Sequence, residues 1–180
     1  MRDLLALLTD EETLNLPTNC VITKAYFDTQ GTDETVFHDV EYKGSHISVC
    51  MSNTSGTLWV DLLQLTKPLQ LREIPKVDAR VKNITFTKDE IIQFVEAVND
   101  RNRIHREVPY IVPGLLILEY LWTYMLNSNA KAGMSIRFLT PMLANDCVFI
   151  ESQREGNVLV GKLDDMILFK ARLHDEHRTN

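Results

Sequence analysis

Asp100, Asn102 and His105 bring a carboxylate, a carboxamide and an imidazole into one short stretch, Asn99-Asp100-Arg101-Asn102-Arg103-Ile104-His105. Arg101, Arg103 and Arg106 are interleaved with them. A carboxylate and an imidazole that converge on one cavity can hold a water and take its proton. The spacing sets a condition on the backbone. On a continuous helix, positions 100 and 105 would point about 140° apart, at about 100° per residue. The pair meets only if a helix ends near Asn99 and the chain then turns. Asn, Asp and Arg are also ordinary helix-end and turn residues, so the stretch reads as a site only in a suitable context.

The flanking elements supply one. Thr87-Lys88-Asp89-Glu90 has the capping-box pattern and precedes an apolar stripe at Ile91, Ile92, Val95 and Val98. A helix is therefore predicted over 87–98. Beyond His105, Pro113 is suited to the first position of a second helix. The run Leu115 to Leu126 is apolar almost all round, so that helix should be buried on most sides. Glu119 is its one charge. Strand-like segments follow at 133–140, 145–153, 157–163 and 166–174, with turns at Asn145-Asp146 and Glu155-Gly156-Asn157. The pattern predicts an α+β fold in which an antiparallel sheet wraps one central helix.

The first half is β-rich. Residues 3–14 predict one or two helical turns. Strands are expected at 19–29, with Val21, Thr23, Ala25 and Phe27 on one face, and at 35–42, with Val36, His38, Val40 and Tyr42 on one side. Two more are expected at 45–51, with Ile47, Val49 and Met51 sharing a face, and at 57–65. The short polar turns between them predict an antiparallel meander. Lys67 to Lys76, with Pro68 and Pro75, reads as a linker, and 77–86 as extended chain. The division is thus an N-terminal region, 1–76, and a C-terminal domain, 77–180.

Residues 84–122 resemble the hydratase segment of the MaoC-like dehydratase/hydratase family, whose fold is the hot-dog. The likeness begins at Phe86-Thr87-Lys88-Asp89-Glu90. It continues through Asp100, Asn102, Ile104 and His105 and then Ile111-Val112-Pro113-Gly114-Leu115-Leu116. Ile136-Arg137-Phe138-Leu139-Thr140-Pro141 resembles the family's first strand after the long helix. It covers about the last hundred residues. The chain departs from the pattern at Asn99 (usually Gly), Arg103 (usually Pro) and Pro113 (usually His), and the connection from His105 to Gly114 is short. The N-terminal region is then either a degenerate first hot-dog unit or an extension of the sheet.

The resemblance implies reversible hydration of an enoyl thioester carried by coenzyme A or an acyl carrier. Asp100 would be the base toward a water. His105 would hold the same water and move the second proton, and Asn102 would fix the loop or the water. The Gly114 N–H, at a helix start, would face the thioester carbonyl as it gains charge. Pro113 has no N–H to add. Arg101, Arg103 and Arg106 would meet phosphates of the carrier. No cofactor and no metal are called for. Two alternatives stay open. One is a hot-dog protein that binds acyl thioesters or a protein partner without catalysis. The other is a hot-dog thioesterase using Glu119, although a buried glutamate equally invites an arginine partner such as Arg137.

Bulk properties exclude several classes. Apolar residues at 44% and charged residues at 24% fit a globular protein rather than a disordered one. A net charge of −6 argues against general nucleic-acid binding. Cys20, Cys50 and Cys147 are dispersed without metal-like spacing and predict reduced thiols in a cytoplasmic protein. The start, Met1 to Leu8, meets Asp10, Glu11 and Glu12 too soon for a signal peptide, and Leu115 to Leu126 is too short to span a membrane. A homodimer is expected wherever a single hot-dog unit leaves its sheet edge uncovered.

Overall fold

Alternation of apolar and polar residues sends one face of a strand inward. The computed structural model describes residues 2–9, 14, 16–67, 83–126, 132–154 and 156–175. Helix α1 (Arg2–Leu8) is followed by β1 (Cys20–Asp28), β2 (Val36–Lys43), β3 (His46–Asn53) and β4 (Gly56–Gln64). On β3, Ile47, Val49 and Met51 are buried, and on β4 so are Leu58, Val60 and Leu62. Leu4, Leu5 and Leu8 of α1 are buried in the same core, and α1 packs against β3 and β4.

Strand β1 departs from simple alternation. Its pairing with β4 slips between Ile22 and Lys24, and a bulge of this kind breaks the two-residue period. Ala25 and Phe27 are buried as expected, but before the bulge the buried residue is Cys20, while Val21 and Thr23 are only half-buried. On β2, Val40 is half-buried and Tyr42 is 56% exposed. The side chains of Val36 and His38 lie outside the description, as does nearly all of the expected linker and of the extended chain up to residue 82.

The C-terminal part runs β5 (Asn83–Ile84), α2 (Lys88–Ala97), a 3-10 turn (Arg103–His105), α3 (Gly114–Leu126), β6 (Gly133–Phe138), β7 (Val148–Gln153), β8 (Val158–Leu163) and β9 (Met166–His174). The capping box of α2 forms as its sequence predicts: Thr87 Oγ1 accepts from the Glu90 amide at 3.2 Å, and the Glu90 carboxylate accepts from the Thr87 amide at 2.7 Å. Ile91, Phe94, Val95 and Val98 form the buried stripe.

All the strands join one antiparallel sheet in the order β2-β3-β4-β1-β6-β9-β8-β7-β5. The junction is β1 with β6, where Ala25 faces Ile136 and Phe27 faces Met134. The two parts of the chain therefore meet edge to edge within one molecule. Helix α3 lies against β1 and β6, with Leu115, Ile117, Leu118, Leu121 and Trp122 turned inward. It is less enclosed than its composition predicts: Tyr120 is 41% and Tyr124 44% exposed. Both are amphipathic side chains that tolerate a wet edge. Among the described residues, no helix is long and apolar enough to cross a membrane.

Candidate active site

The condition set by the sequence, a helix ending near Asn99, is met by a specific cap. Asn99 has φ of 53°, the left-handed conformation that glycine or asparagine adopts most readily after a helix. Its amide donates to Glu96 O at 3.2 Å and the Asp100 amide to Val95 O at 2.7 Å. These are the two bonds of a Schellman motif. The chain then reverses, and Asp100 Oδ1 accepts from the Asn102 amide at 2.8 Å, an Asx turn.

Asn102 anchors the loop. It caps the 3-10 turn, and its Nδ2 donates to Cys20 O at 2.6 Å. The Arg103 amide donates to Thr18 O at 3.0 Å. The loop is thereby tied to β1 and the residues before it.

His105, at the end of this turn, is 7% exposed. Its Nδ1 lies 2.7 Å from Ile111 O. That carbonyl is fixed in turn: Ile111 bridges Leu143, and the Val112 amide donates to Met142 O at 2.8 Å. A carbonyl only accepts, so the proton of the neutral ring is assigned to Nδ1 and Nε2 is left as an acceptor. Nε2 faces Asp100 Oδ2 at 3.8 Å. Burial pushes the His105 imidazole below its ordinary range, partly offset by the Asp100 charge and the Ile111 carbonyl, while Arg106 lowers it further. The site therefore presents two acceptors facing each other across a gap too long for a direct bond.

Both line a cavity of about 310 Å³ together with Asn102 and Gly114. Gly114 opens α3, so its N–H has no partner four residues back within the helix. A side chain here would crowd the wall: a Cβ would lie 3.0 Å from the Phe138 ring and 3.4 Å from Ile22. Pro113 stands one place earlier than expected. Its carbonyl accepts from the Leu116 and Ile117 amides at 3.0 and 3.2 Å, which makes it the cap rather than the first helical residue. Cys20 also lines the cavity, and burial pushes its thiol up, away from the thiolate form a nucleophile needs.

The arginines separate. Arg101 lines the cavity. Arg103 pairs with Glu107 at 2.9 Å, and Arg106 donates to the Asp100 carbonyl through Nε at 3.0 Å and Nη2 at 2.7 Å. Two of the guanidiniums brace their own loop. Glu119 is bound by Arg2, with Nε at 2.7 Å and Nη2 at 3.2 Å, and not by Arg137. It is absent from the cavity lining.

One wall was not legible in the motif. Leu8 of α1 and Thr9, Leu14, Leu16, Pro17 and Thr18 beyond it also line the cavity. They have no periodicity that a sequence reading can use. Only the loop's bonds to Thr18 and Cys20 show why they belong to it.

No family model and no curated protein matches the chain. Solved structures do. HtdX from Mycobacterium tuberculosis is 12% identical with a TM-score of 0.67, covering 97% of this chain and 87% of its own. A second crystal structure of HtdX gives 13% identity, a TM-score of 0.64 and coverage of 96% and 82%. A MaoC-like dehydratase from Phytophthora capsici is 10% identical with a TM-score of 0.55, covering 92% and 72%. At such identities the likeness concerns the fold, and the fold of this chain is the α+β hot-dog.

Proposed function

We propose that this protein hydrates a 2-enoyl thioester, and dehydrates the product, through one water shared by Asp100 and His105. The observation that carries this reading is the pair of acceptors 3.8 Å apart, Nε2 and Oδ2, with Nδ1 pinned to Ile111 O. A water between them donates one hydrogen to each, which turns its lone pair outward toward the cavity. As the water oxygen bonds to C3, the C2–C3 π pair moves toward the thioester carbonyl. Asp100 takes a water proton. That proton reaches C2 directly or across Nε2, so carboxylate and imidazole end as they began. The Gly114 N–H, at the positive end of α3, supports the charge that develops on the thioester oxygen. Asn102 positions the loop through Cys20 O.

Likeness to a MaoC-like dehydratase supports the same reading by analogy of fold. The thioesterase alternative loses its nucleophile or base, because Glu119 is paired with Arg2 away from the cavity.

The test is consumption of the conjugated double bond of short and medium 2-enoyl thioesters, followed by absorbance. Asp100→Asn and His105→Ala should each lower the rate at least about 100-fold, the lower scale for a positioned acid or base. Wild-type protein that binds these thioesters without turnover would replace this reading with that of a non-catalytic binder.

A further inference from the structure

The outer face of the sheet, opposite the core, carries an unusual row. In register, Asp61 of β4 faces Lys24 of β1, Lys24 faces Arg137 of β6, and Arg137 faces Lys170 of β9. Three cations thus stand side by side across adjacent strands. Like charges at directly opposed positions destabilise a sheet, and this chain carries a net charge of −6. Asp61, 3.7 Å from Lys24, is the one carboxylate paired with the row among the described residues. Arg137, Lys170 and Arg172 are all exposed.

The next row along the strands adds a platform. Trp59 faces Tyr26, Tyr26 faces Ser135, and Ser135 faces Arg172. The Trp59 and Tyr26 rings are 5.0 Å apart, and Trp59 is 41% exposed. Tyr26 Oη donates to Asp28, and His174 Nε2 lies 2.9 Å from Ser135 Oγ. Both rows line one open concavity of about 540 Å³.

This concavity and the cavity of the candidate site are lined by consecutive residues at Thr23 and Lys24, Asp61 and Leu62, and Arg137 and Phe138. Leu63 of β4, on the same face of that strand as Asp61 and Trp59, lines that cavity. At a strand rise of roughly 3.3 Å per residue, the cationic row starts about 7 Å from this rim and the aromatic row about 13 Å from it.

We infer that the outer-face cations Lys24, Arg137, Lys170 and Arg172, with the Tyr26–Trp59 pair, bind the phosphorylated nucleotide end of a coenzyme A thioester whose acyl end enters the adjoining cavity. The cations match the phosphates, and the exposed indole offers the adenine a stacking face. This assigns the carrier role to the sheet rather than to Arg103 and Arg106, which are engaged in their own loop. It rests on the proposed thioester chemistry only for the acyl end. The nucleotide site stands on the outer-face geometry alone.

Binding can be read without turnover. Free coenzyme A and 3′,5′-ADP should each quench the tryptophan fluorescence of the full chain through the exposed Trp59 rather than the buried Trp122, with affinity falling steeply as salt rises. Arg137→Gln with Lys170→Gln should weaken both ligands at least about tenfold, since charged hydrogen bonds are being removed. The same double variant should melt at or above the wild-type temperature, because it relieves like-charge opposition; this separates lost binding from lost folding. Hydration of an enoyl-pantetheine, which lacks the nucleotide, should be unchanged. Unaltered coenzyme A binding in the variant would overturn the assignment, as would the absence of quenching by 3′,5′-ADP. So would a requirement for these residues seen only with a protein-borne thioester. Quenching together with inactivity toward both thioesters would instead leave the site standing and defeat the hydratase reading.

Discussion

Strands β3 and β4 pack against α1, a helix of 7 residues, whereas α3, a helix of 13 residues, lies over the junction of β1 with β6. The N-terminal part contributes apolar wall and two backbone acceptors, Thr18 O and Cys20 O, that hold the loop. The ionisable pair and the helix start come from residues 100–114 alone. The difference teaches that the cavity belongs to both parts while the candidate catalytic groups are concentrated in one. We propose on this basis that residues 1–76 are a degenerate hot-dog unit that has kept its packing and carries no reacting group.

Core truncation has the largest expected effect on stability and bears on that comparison first. Leu118→Ala and Leu121→Ala in α3 should each cost about 2–5 kcal/mol in urea unfolding. Leu5→Ala in α1 is as fully buried and belongs to the same range, toward its lower end, because a short helix can shift into the void. An α1 truncation costing under about 0.5 kcal/mol would detach α1 from the common core and break the comparison.

The pH dependence sharpens it. His105 is held below its ordinary value of 6.5, chiefly by burial. Above that value both folded and unfolded states carry the neutral ring, and its contribution to stability is fully present. As pH falls below 6.5, the unfolded state takes up a proton that the folded state resists, and stability is lost down to the folded pKa. The urea midpoint of wild type should therefore fall on acidification through this window, and His105→Gln should fall less. Equal slopes for the two proteins would place the acid sensitivity elsewhere.

The helix cap comes next. Asn99→Ala forces a β-carbon without a compensating amide into the left-handed conformation and should cost about 1 kcal/mol, whereas Asn99→Gly should be neutral or slightly stabilising. Thermal melts would show this, and a reversed order would remove the cap as the cause of the turn. The smallest effect belongs to Arg103→Ala. Its exposed pair with Glu107 is of a kind worth about 0.2–0.5 kcal/mol.

These positions also mark what the sequence made legible. The capping box at Thr87 and the stop near Asn99 are local, and local chemistry decides them; so the convergence of Asp100 with His105 could be stated as a condition and then met. The four C-terminal strands followed from their apolar segments and turns, and the long helix from its nearly unbroken apolar run after Pro113. The bulge in β1 was hidden, because one extra residue leaves no mark in a run such as Val21-Ile22-Thr23. The exposed edge of α3 was hidden for a different reason: tyrosine reads as apolar whether or not a layer covers it. The Arg2–Glu119 pair and the wall formed by Leu8, Thr9, Leu14, Leu16, Pro17 and Thr18 join residues far apart in the chain, and only the assembled sheet brings them together.

The central claim, that Asp100 and His105 act on one water, is tested most directly by a double-mutant cycle on enoyl-thioester hydration. Groups that act as a unit lose their function together. Asp100→Asn combined with His105→Ala should therefore be no slower than the slower single variant, within about threefold. Losses that multiply across the cycle would mean two independent contributions and would contradict the shared water.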